Sequence, residues 1–364
     1  MDYTRRIYLD NIRWITVCIV VIYHVIYMFN GVQTFGVIGP FQEHQPQDAF
    51  QYLVYPWFMA LLFTVSGITV RYYLERHTTK EFIRDKTRKL LVPSTIGLFV
   101  FQWMLGYYNM KIAGAFESLD VVPAPATVRY VIMAISGIGV LWYIQVLWIF
   151  SMLLLLVRKV EQDRIWKLGA KTSVWVLLLL TGCLYGSAQI LNTPVVTVYR
   201  FGIYGFCFFA GYFVFSHDEV VERLVRWRGI FLIAAAAAGI FYTVHYFGQN
   251  YAIEPAVNSL SACVYCWFSI LAILSCMKKY GDRENRISRW MGKKSWGIYM
   301  FHYLPLACVA YELKRFVPEL PAGVVYLLVG ASAFGGAILL YEVISRIPVV
   351  RWCVLGLRKE RKHV

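Results

Sequence analysis

The sequence has little charge and no long polar stretch. Only 16% of its 364 residues are charged, whereas 59% are apolar and the mean hydropathy is +0.54. Soluble domains average about 25% charged and roughly 45–50% apolar residues, so this composition excludes a soluble globular fold. No polar stretch is long enough to carry a separate hydrophilic core, and a single membrane domain is the simpler prediction.

Acidic residues are scarce as well. The chain has 21 Asp and Glu against 36 Lys and Arg, a formal net charge of +15. In a soluble protein this excess would indicate nucleic acid or another anionic surface. Here the cations follow the predicted membrane topology, described below, so we predict no nucleic-acid partner.

The positions of the cysteines, histidines and carboxylates in the sequence indicate neither a disulfide framework nor a metal site. The eight cysteines fall mostly inside apolar runs, where a thiol behaves as a small hydrophobic group. They do not form a disulfide framework. The histidines and carboxylates do not cluster at metal-ligand spacing, so we predict no metal and no bound cofactor.

Long apolar runs dominate the chain. A spanning helix needs about 20 apolar residues, and ten runs between charges or Pro/Gly clusters approach this length. The sequence therefore predicts an all-α polytopic membrane protein with about ten transmembrane helices. The runs are 12–30, 51–71, 90–108, 137–157, 173–191, 199–215, 229–247, 256–276, 295–313 and 322–344.

Segments rich in lysine and arginine alternate along the chain with segments that contain few of them. The cation-poor segments between the apolar runs, counted with the first residues of the run that follows, hold only Lys111, Arg129, Arg200, Lys314 and Arg315. Cytoplasmic loops carry the excess of cations, so both termini are predicted to be cytoplasmic. We expect one transmembrane domain over 1–345, a basic cytoplasmic tail over 346–364, and a multi-pass location in the inner (plasma) membrane.

Ionisable side chains within the first apolar run are the strongest functional candidates, because charges are costly inside a membrane. Arg13 and His24 are eleven residues apart, which places them within about 20° on one helix face with a rise of ~16 Å. Asp10 accompanies Arg13. An arginine at the inner boundary can bind an anion, and a neutral histidine can take a proton from a hydroxyl. The alternative is an interfacial arginine and a structural core histidine.

Four short motifs carry a family resemblance. Leu9-Asp10-x-x-Arg13 with His24 resembles the opening helix of the membrane acyltransferase 3 family, which includes O-acetylases of bacterial glycans. The other motifs are similar to further elements of that family and occur in the same order. They are Phe63-Thr-Val-Ser66-Gly67, Gly139-Val-Leu-Trp142-Tyr143 and Ser295-Trp-Gly-Ile-Tyr299-Met-Phe-His302.

A basic run precedes the third apolar segment. The family often has an R-x-x-R pair here, whereas this chain has Lys86-x-x-Lys89, with Arg84 and Arg88 offset. The resemblance implies a binding site for an anionic donor. The alternative is that these cations only mark the cytoplasmic side.

The resemblance implies an O-acyltransferase. It would move an acyl group, such as acetyl or succinyl, from cytoplasmic acyl-CoA to a hydroxyl of an extracytoplasmic glycan or similar acceptor. Arg13 and the basic run would bind the donor, and His24, with Arg13 and Asp10, would carry the catalysis, as general base or as acyl carrier. The residues expected at the acceptor or in the pocket are Ser66, Trp142, Tyr143, Tyr299 and His302.

Two other classes remain open at this stage. Ten helices with polar groups near the midplane also suit a transporter or exporter of a glycan or lipid-linked precursor, although no inverted repeat is visible. A non-catalytic scaffold of envelope assembly is the third reading. The scaffold hypothesis predicts that Arg13 and His24 tolerate substitution. Separately, the alternative to a pocket role for Tyr299 and His302 is that of ordinary interhelical hydrogen bonders. The expected partners are acyl-CoA, the hydroxyl acceptor and membrane lipids, and a homo-oligomer stays an open possibility.

Overall fold

The computed structural model describes residues 6–32, 36–43, 45–117, 124–193, 196 and 198–358. These residues form helices joined by turns, with no extended strand apart from one isolated bridge between Asn192 and Arg200. The all-α class is therefore confirmed. Residues 359–364 of the predicted basic tail lie outside the described residues.

The helices of six or more residues in the described chain are numbered in order. They are α1 (Ile7–Tyr27), α2 (Ala49–Val54), α3 (Phe58–Leu74), α4 (Thr79–Lys86), α5 (Val92–Gly97), α6 (Trp103–Ile112), α7 (Ala126–Ser136), α8 (Trp142–Glu161), α9 (Arg164–Gly169), α10 (Val174–Ala188), α11 (Phe201–Ala210), α12 (Asp218–Tyr246), α13 (Leu260–Tyr280), α14 (Arg286–Phe301), α15 (Tyr303–Phe316), α16 (Ala322–Arg346) and α17 (Pro348–Leu355).

Seven helical stretches of the described chain are long and apolar enough to cross a membrane, and each overlaps one of the ten predicted segments. They are Ile7–Tyr27, Pro46–Leu74, Thr79–Ile112, Gly139–Glu161, Asp218–Tyr246, Leu260–Tyr280 and Ala322–Arg346.

The other three predicted segments are shorter in the structure. Segments 173–191 and 199–215 coincide with the apolar helices Val174–Ala188 and Phe201–Phe215, and 295–313 is divided between α14 and α15. The count of ten spans and the cytoplasmic termini stay predictions.

The chain forms two compact units that alternate along the sequence. The first unit comprises Met1–Ile19, Ala49–Phe82 and Ile149–Lys293. The second unit comprises Val20–Asp48, Ile83–Trp148 and Lys294–Val364.

Glycines allow close helix packing in the first unit. A Cβ added to Gly67 of α3 would lie 2.0 Å from the carbonyl oxygen of Phe208. One added to Gly211, directly after α11, would lie 2.1 Å from the carbonyl oxygen of Thr64. The two helices thus approach through their backbones, as small residues allow between transmembrane helices. In the Ser66-Gly67 motif, the glycine therefore has a packing role.

Glycines also allow close helix packing in the second unit. A Cβ on Gly106 of α6 would lie 1.6 Å from the carbonyl oxygen of Met133 in α7. A Cβ on Gly336 of α16 would lie 2.6 Å from Cβ of Pro305 in α15. The second contact places α16 directly against the interruption between α14 and α15, where His302 lies.

Candidate active site

Two histidines that are far apart in the sequence meet inside the second unit. His24, near the end of α1, lies with its Nδ1 3.1 Å from Nε2 of His302. The two ring centroids are 5.1 Å apart. His302 is completely buried and His24 is half-buried. This pair joins the best candidate of the first helix to the last motif of the sequence.

The helix interruption explains how His302 is placed. His302 stands between α14 and α15, three residues before Pro305. Proline has no N–H to donate, so a regular helix cannot continue unbroken through this turn. The backbone N–H of His302 still donates to the carbonyl of Ile298. Its ring Nδ1 lies 3.0 Å from the same oxygen and 2.9 Å from that of Tyr299.

Aromatic rings line the His24 imidazole. The ring of Tyr303, the first residue of α15, stands edge-on with its centroid 4.9 Å from that of His24. Tyr23 and Tyr27 are at 5.2 and 6.4 Å. The pair is therefore enclosed by apolar and phenolic surface, where an electrostatic interaction is stronger than in water.

The predicted acceptor residues of the second unit form a layer behind the histidines. The Tyr299 hydroxyl donates to the carbonyl of Val140, in the turn that precedes α8. The Tyr299 ring lies 5.8 Å from that of Tyr143, which in turn lies 6.3 Å from Trp142. All three aromatic residues are buried. The structure thus brings Trp142, Tyr143 and Tyr299 to His302, in positions suited to supporting it.

Asp10 and Arg13 form an ion pair on α1, within the first unit. Nη1 of Arg13 lies 3.0 Å from Oδ1 of Asp10, and their side chains are 36% and 29% exposed. Such a partly exposed pair is weak. It orients the guanidinium while leaving part of it open to an anion.

Ser66 belongs to the same unit as Arg13 and lies on α3 next to Gly67. It is half-buried, and its carbonyl accepts a hydrogen bond from the Thr69 hydroxyl. The structure does not place it in the unit that holds the two histidines.

The basic run belongs to the second unit and includes the end of α4 and a π-helical turn, Thr87–Leu91. Arg84 and Lys89 are exposed, whereas Lys86 and Arg88 are half-buried. Nη2 of Arg88 lies 3.1 Å from Asp85, and its buried Nε has no hydrogen-bond partner among the described residues. Arg88 therefore has an N–H group that no described residue satisfies.

Sequence reasoning named both histidines and missed their contact. His302 was expected at the acceptor or in the pocket, without a link to His24, and Tyr303 was not named at all. Pro305 was the available signal, because it predicts an interruption near His302. It does not say which helix faces that interruption.

Comparison with known proteins gives one match. A family model described as an acyltransferase domain matches residues 6–342, nearly the whole chain. No curated protein and no solved structure matches.

Proposed function

Because the chain belongs to the acyltransferase domain family and is a membrane-embedded multi-pass acyltransferase, we propose that it is an O-acyltransferase. It takes an acyl group, such as acetyl or succinyl, from cytoplasmic acyl-CoA. It passes this group to a hydroxyl of an extracytoplasmic glycan or similar acceptor, across the inner (plasma) membrane. The observation that carries the proposal is the hydrogen-bonded contact of His24 with the buried His302.

His24 acts as the general base in this proposal. Its imidazole takes the proton of the acceptor hydroxyl while the hydroxyl oxygen attacks the thioester carbonyl carbon. The new C–O bond forms, the C–S bond breaks, and the coenzyme leaves as a thiolate. That thiolate takes the proton from His24, so the products are an ester and a free thiol and the histidine is regenerated.

The donor is held by cations in the same proposal. Coenzyme A carries phosphates, and arginine binds phosphate by paired hydrogen bonds. Arg13 offers a guanidinium that Asp10 orients, and Arg88 offers a buried Nε with no partner among the described residues. Arg84, Lys86 and Lys89 add positive charge beside Arg88.

The test uses the purified full chain in liposomes with radiolabelled acetyl-CoA or, separately, succinyl-CoA. A bacterial envelope-glycan fraction serves as acceptor. We expect release of free coenzyme thiol together with label in the glycan that mild alkali removes, as for an O-ester. Label retained by the wild-type protein after rapid denaturation at neutral pH, and absent from His24→Ala, would instead indicate that His24 carries the acyl group.

Two histidine variants serve as comparison and control. His24→Ala should lose transfer by ~10²–10⁴-fold, the usual contribution of a general base. His245→Ala should be fully active, because His245 is exposed on α12 and stacks on Phe241. A fully active His24→Ala protein, with turnover normalised to folded protein, would remove the catalytic assignment.

A further inference from the structure

The two ring nitrogens of His302 face different kinds of atoms. Nδ1 lies 3.0 and 2.9 Å from the carbonyl oxygens of Ile298 and Tyr299. Nε2 lies 3.1 Å from Nδ1 of His24. A carbonyl oxygen only accepts hydrogen bonds. Nδ1 of His302 therefore carries a proton and donates it.

The protonation of the other nitrogen follows from burial. His302 has no exposed surface, and its ring lies beside those of His24, Tyr299 and Tyr303. No carboxylate of the described chain pairs with it. A buried charge without a counter-ion is costly, so the imidazole is neutral and has a lone pair on Nε2.

The proton between the two rings consequently belongs to His24. Nε2 of His302 accepts, so Nδ1 of His24 donates. We infer that His302 is a positioning residue that holds His24 as its Nδ1–H tautomer, which leaves Nε2 of His24 as the reacting nitrogen. This inference rests on the proposed function and applies equally to a general base and to an acyl carrier.

The arrangement also suits the charge that develops during transfer. When Nε2 of His24 takes the proton of the acceptor hydroxyl, the ring becomes a cation and its Nδ1–H still donates to His302. A hydrogen bond from a charged donor is shorter and stronger than a neutral one. The pair thus stabilises the transient cation without a change of tautomer in either ring, and the thiolate later takes the proton from Nε2.

The direct test reads the tautomer in the unaltered protein. The full chain is produced with ¹⁵N-labelled histidine, and the His24 signals are assigned by their loss in His24→Ala. We expect one protonated nitrogen at Nδ1 and an unprotonated Nε2. A His24 ring protonated at Nε2 in the wild-type protein would overturn the inference.

The functional test compares two replacements of His302. His302→Leu removes the His302 acceptor and leaves the His24 ring with its hydrogen bond to the backbone of Val20. We expect it to lower kcat by ~10²-fold, within the range attributed to proton transfer, with donor affinity unchanged. His302→Gln keeps an oxygen able to accept from Nδ1 of His24 and should remain within ~10-fold of wild type. Equal kcat for the Leu variant and wild type, per folded molecule, contradicts the inference.

The two hypotheses fail in different ways. If the wild-type protein transfers no acyl group, or His24→Ala is fully active, the proposed function fails. If His24→Ala is inactive while His302→Leu keeps both its kcat and the His24 tautomer, only the inference fails. His24→Ala combined with His302→Leu should be no worse than His24→Ala alone, because residues that act as a unit are non-additive. If His302→Leu does not fold, the spectrum of the unaltered protein and the Gln variant still decide.

Discussion

Arg13 forms an ion pair with Asp10 in which both side chains are about one-third exposed, so its surroundings leave room for a ligand. We expect Arg13→Ala to weaken binding of acyl-CoA by ~10²-fold, since hydrogen bonds to charged groups contribute ~1.5–3 kcal/mol. Arg13→Lys should restore only part of this affinity, because the point charge of an ammonium group does not reproduce the paired hydrogen-bond donors of a planar guanidinium.

The measurement is donor affinity on purified, folded variants. Arg315→Ala is the matched control, since Arg315 is exposed and lies over the ring of Phe316. It should bind the donor as wild type does. If Arg13→Ala also binds normally, the arginine marks topology only.

Arg88 and Arg84 belong to the same basic run and differ in burial. Arg88 forms an ion pair with Asp85, and its buried Nε has no hydrogen-bond partner in the described part of the chain, whereas Arg84 is exposed. Exposed ion pairs contribute ~0–1 kcal/mol, so Arg84→Ala should change donor affinity by less than ~5-fold. Arg88→Ala should weaken it by ~10-fold or more. Equal, small effects in a titration with acetyl-CoA would show that the run serves membrane orientation.

Helix packing gives a prediction at the scale of the element. In Gly67→Ala the new Cβ meets the carbonyl oxygen of Phe208 at 2.0 Å, and a backbone atom cannot move aside as a flexible side chain does. Overpacking of this kind costs ~1–3 kcal/mol. We expect a lower thermal unfolding midpoint in detergent.

The control is Gly182→Ala on α10, where nothing lies within 4 Å of the added Cβ. This variant should be neutral or slightly stabilised, because alanine is the better helix former. Equal midpoints for the two variants would show that α3 and α11 do not approach closely at Gly67.

The sequence was sufficient for the elements that depend on local hydrophobicity. Seven apolar runs predict the seven long helices because a spanning helix is specified by length and composition. The interruption at His302 was partly predictable, since Pro305 removes one backbone donor. The π-helical turns Thr87–Leu91 and Leu98–Gln102 were not, because they depend on how the neighbouring helices pack.

The contact of His24 with His302 shows where sequence reasoning stops. Arg13 and His24 both belong to α1, and their spacing places them on one face of this helix. The two histidines are 278 residues apart, and no local rule says which helix faces which. The sequence likewise does not show close approaches such as Gly336 with Pro305, where the absence of a side chain is what matters.

At the scale of the whole molecule, the property that needs a test is the orientation of the chain in the membrane. The alternation of cation-rich and cation-poor segments predicts cytoplasmic termini, and the proposed function needs the donor side to be cytoplasmic. Single cysteines introduced at exposed positions and labelled with an impermeant thiol reagent on intact cells show directly on which side of the membrane each position lies. Gln45, in a predicted outer segment, is unsuitable because it is buried and bonded to the Phe29 carbonyl.

The chosen positions are exposed in the structure. Thr127→Cys, Gln249→Cys and Glu319→Cys should react from outside, whereas Lys80→Cys, Lys167→Cys and Arg283→Cys should react only after the membrane is opened. The parent protein gives the background of its eight cysteines. Lys80, Lys167 and Arg283 lie with Gln249 in the first unit, so this unit alone contains both predicted sides. Labelling of Lys80→Cys from outside would invert the topology, and the basic run that follows it would then face away from cytoplasmic acyl-CoA.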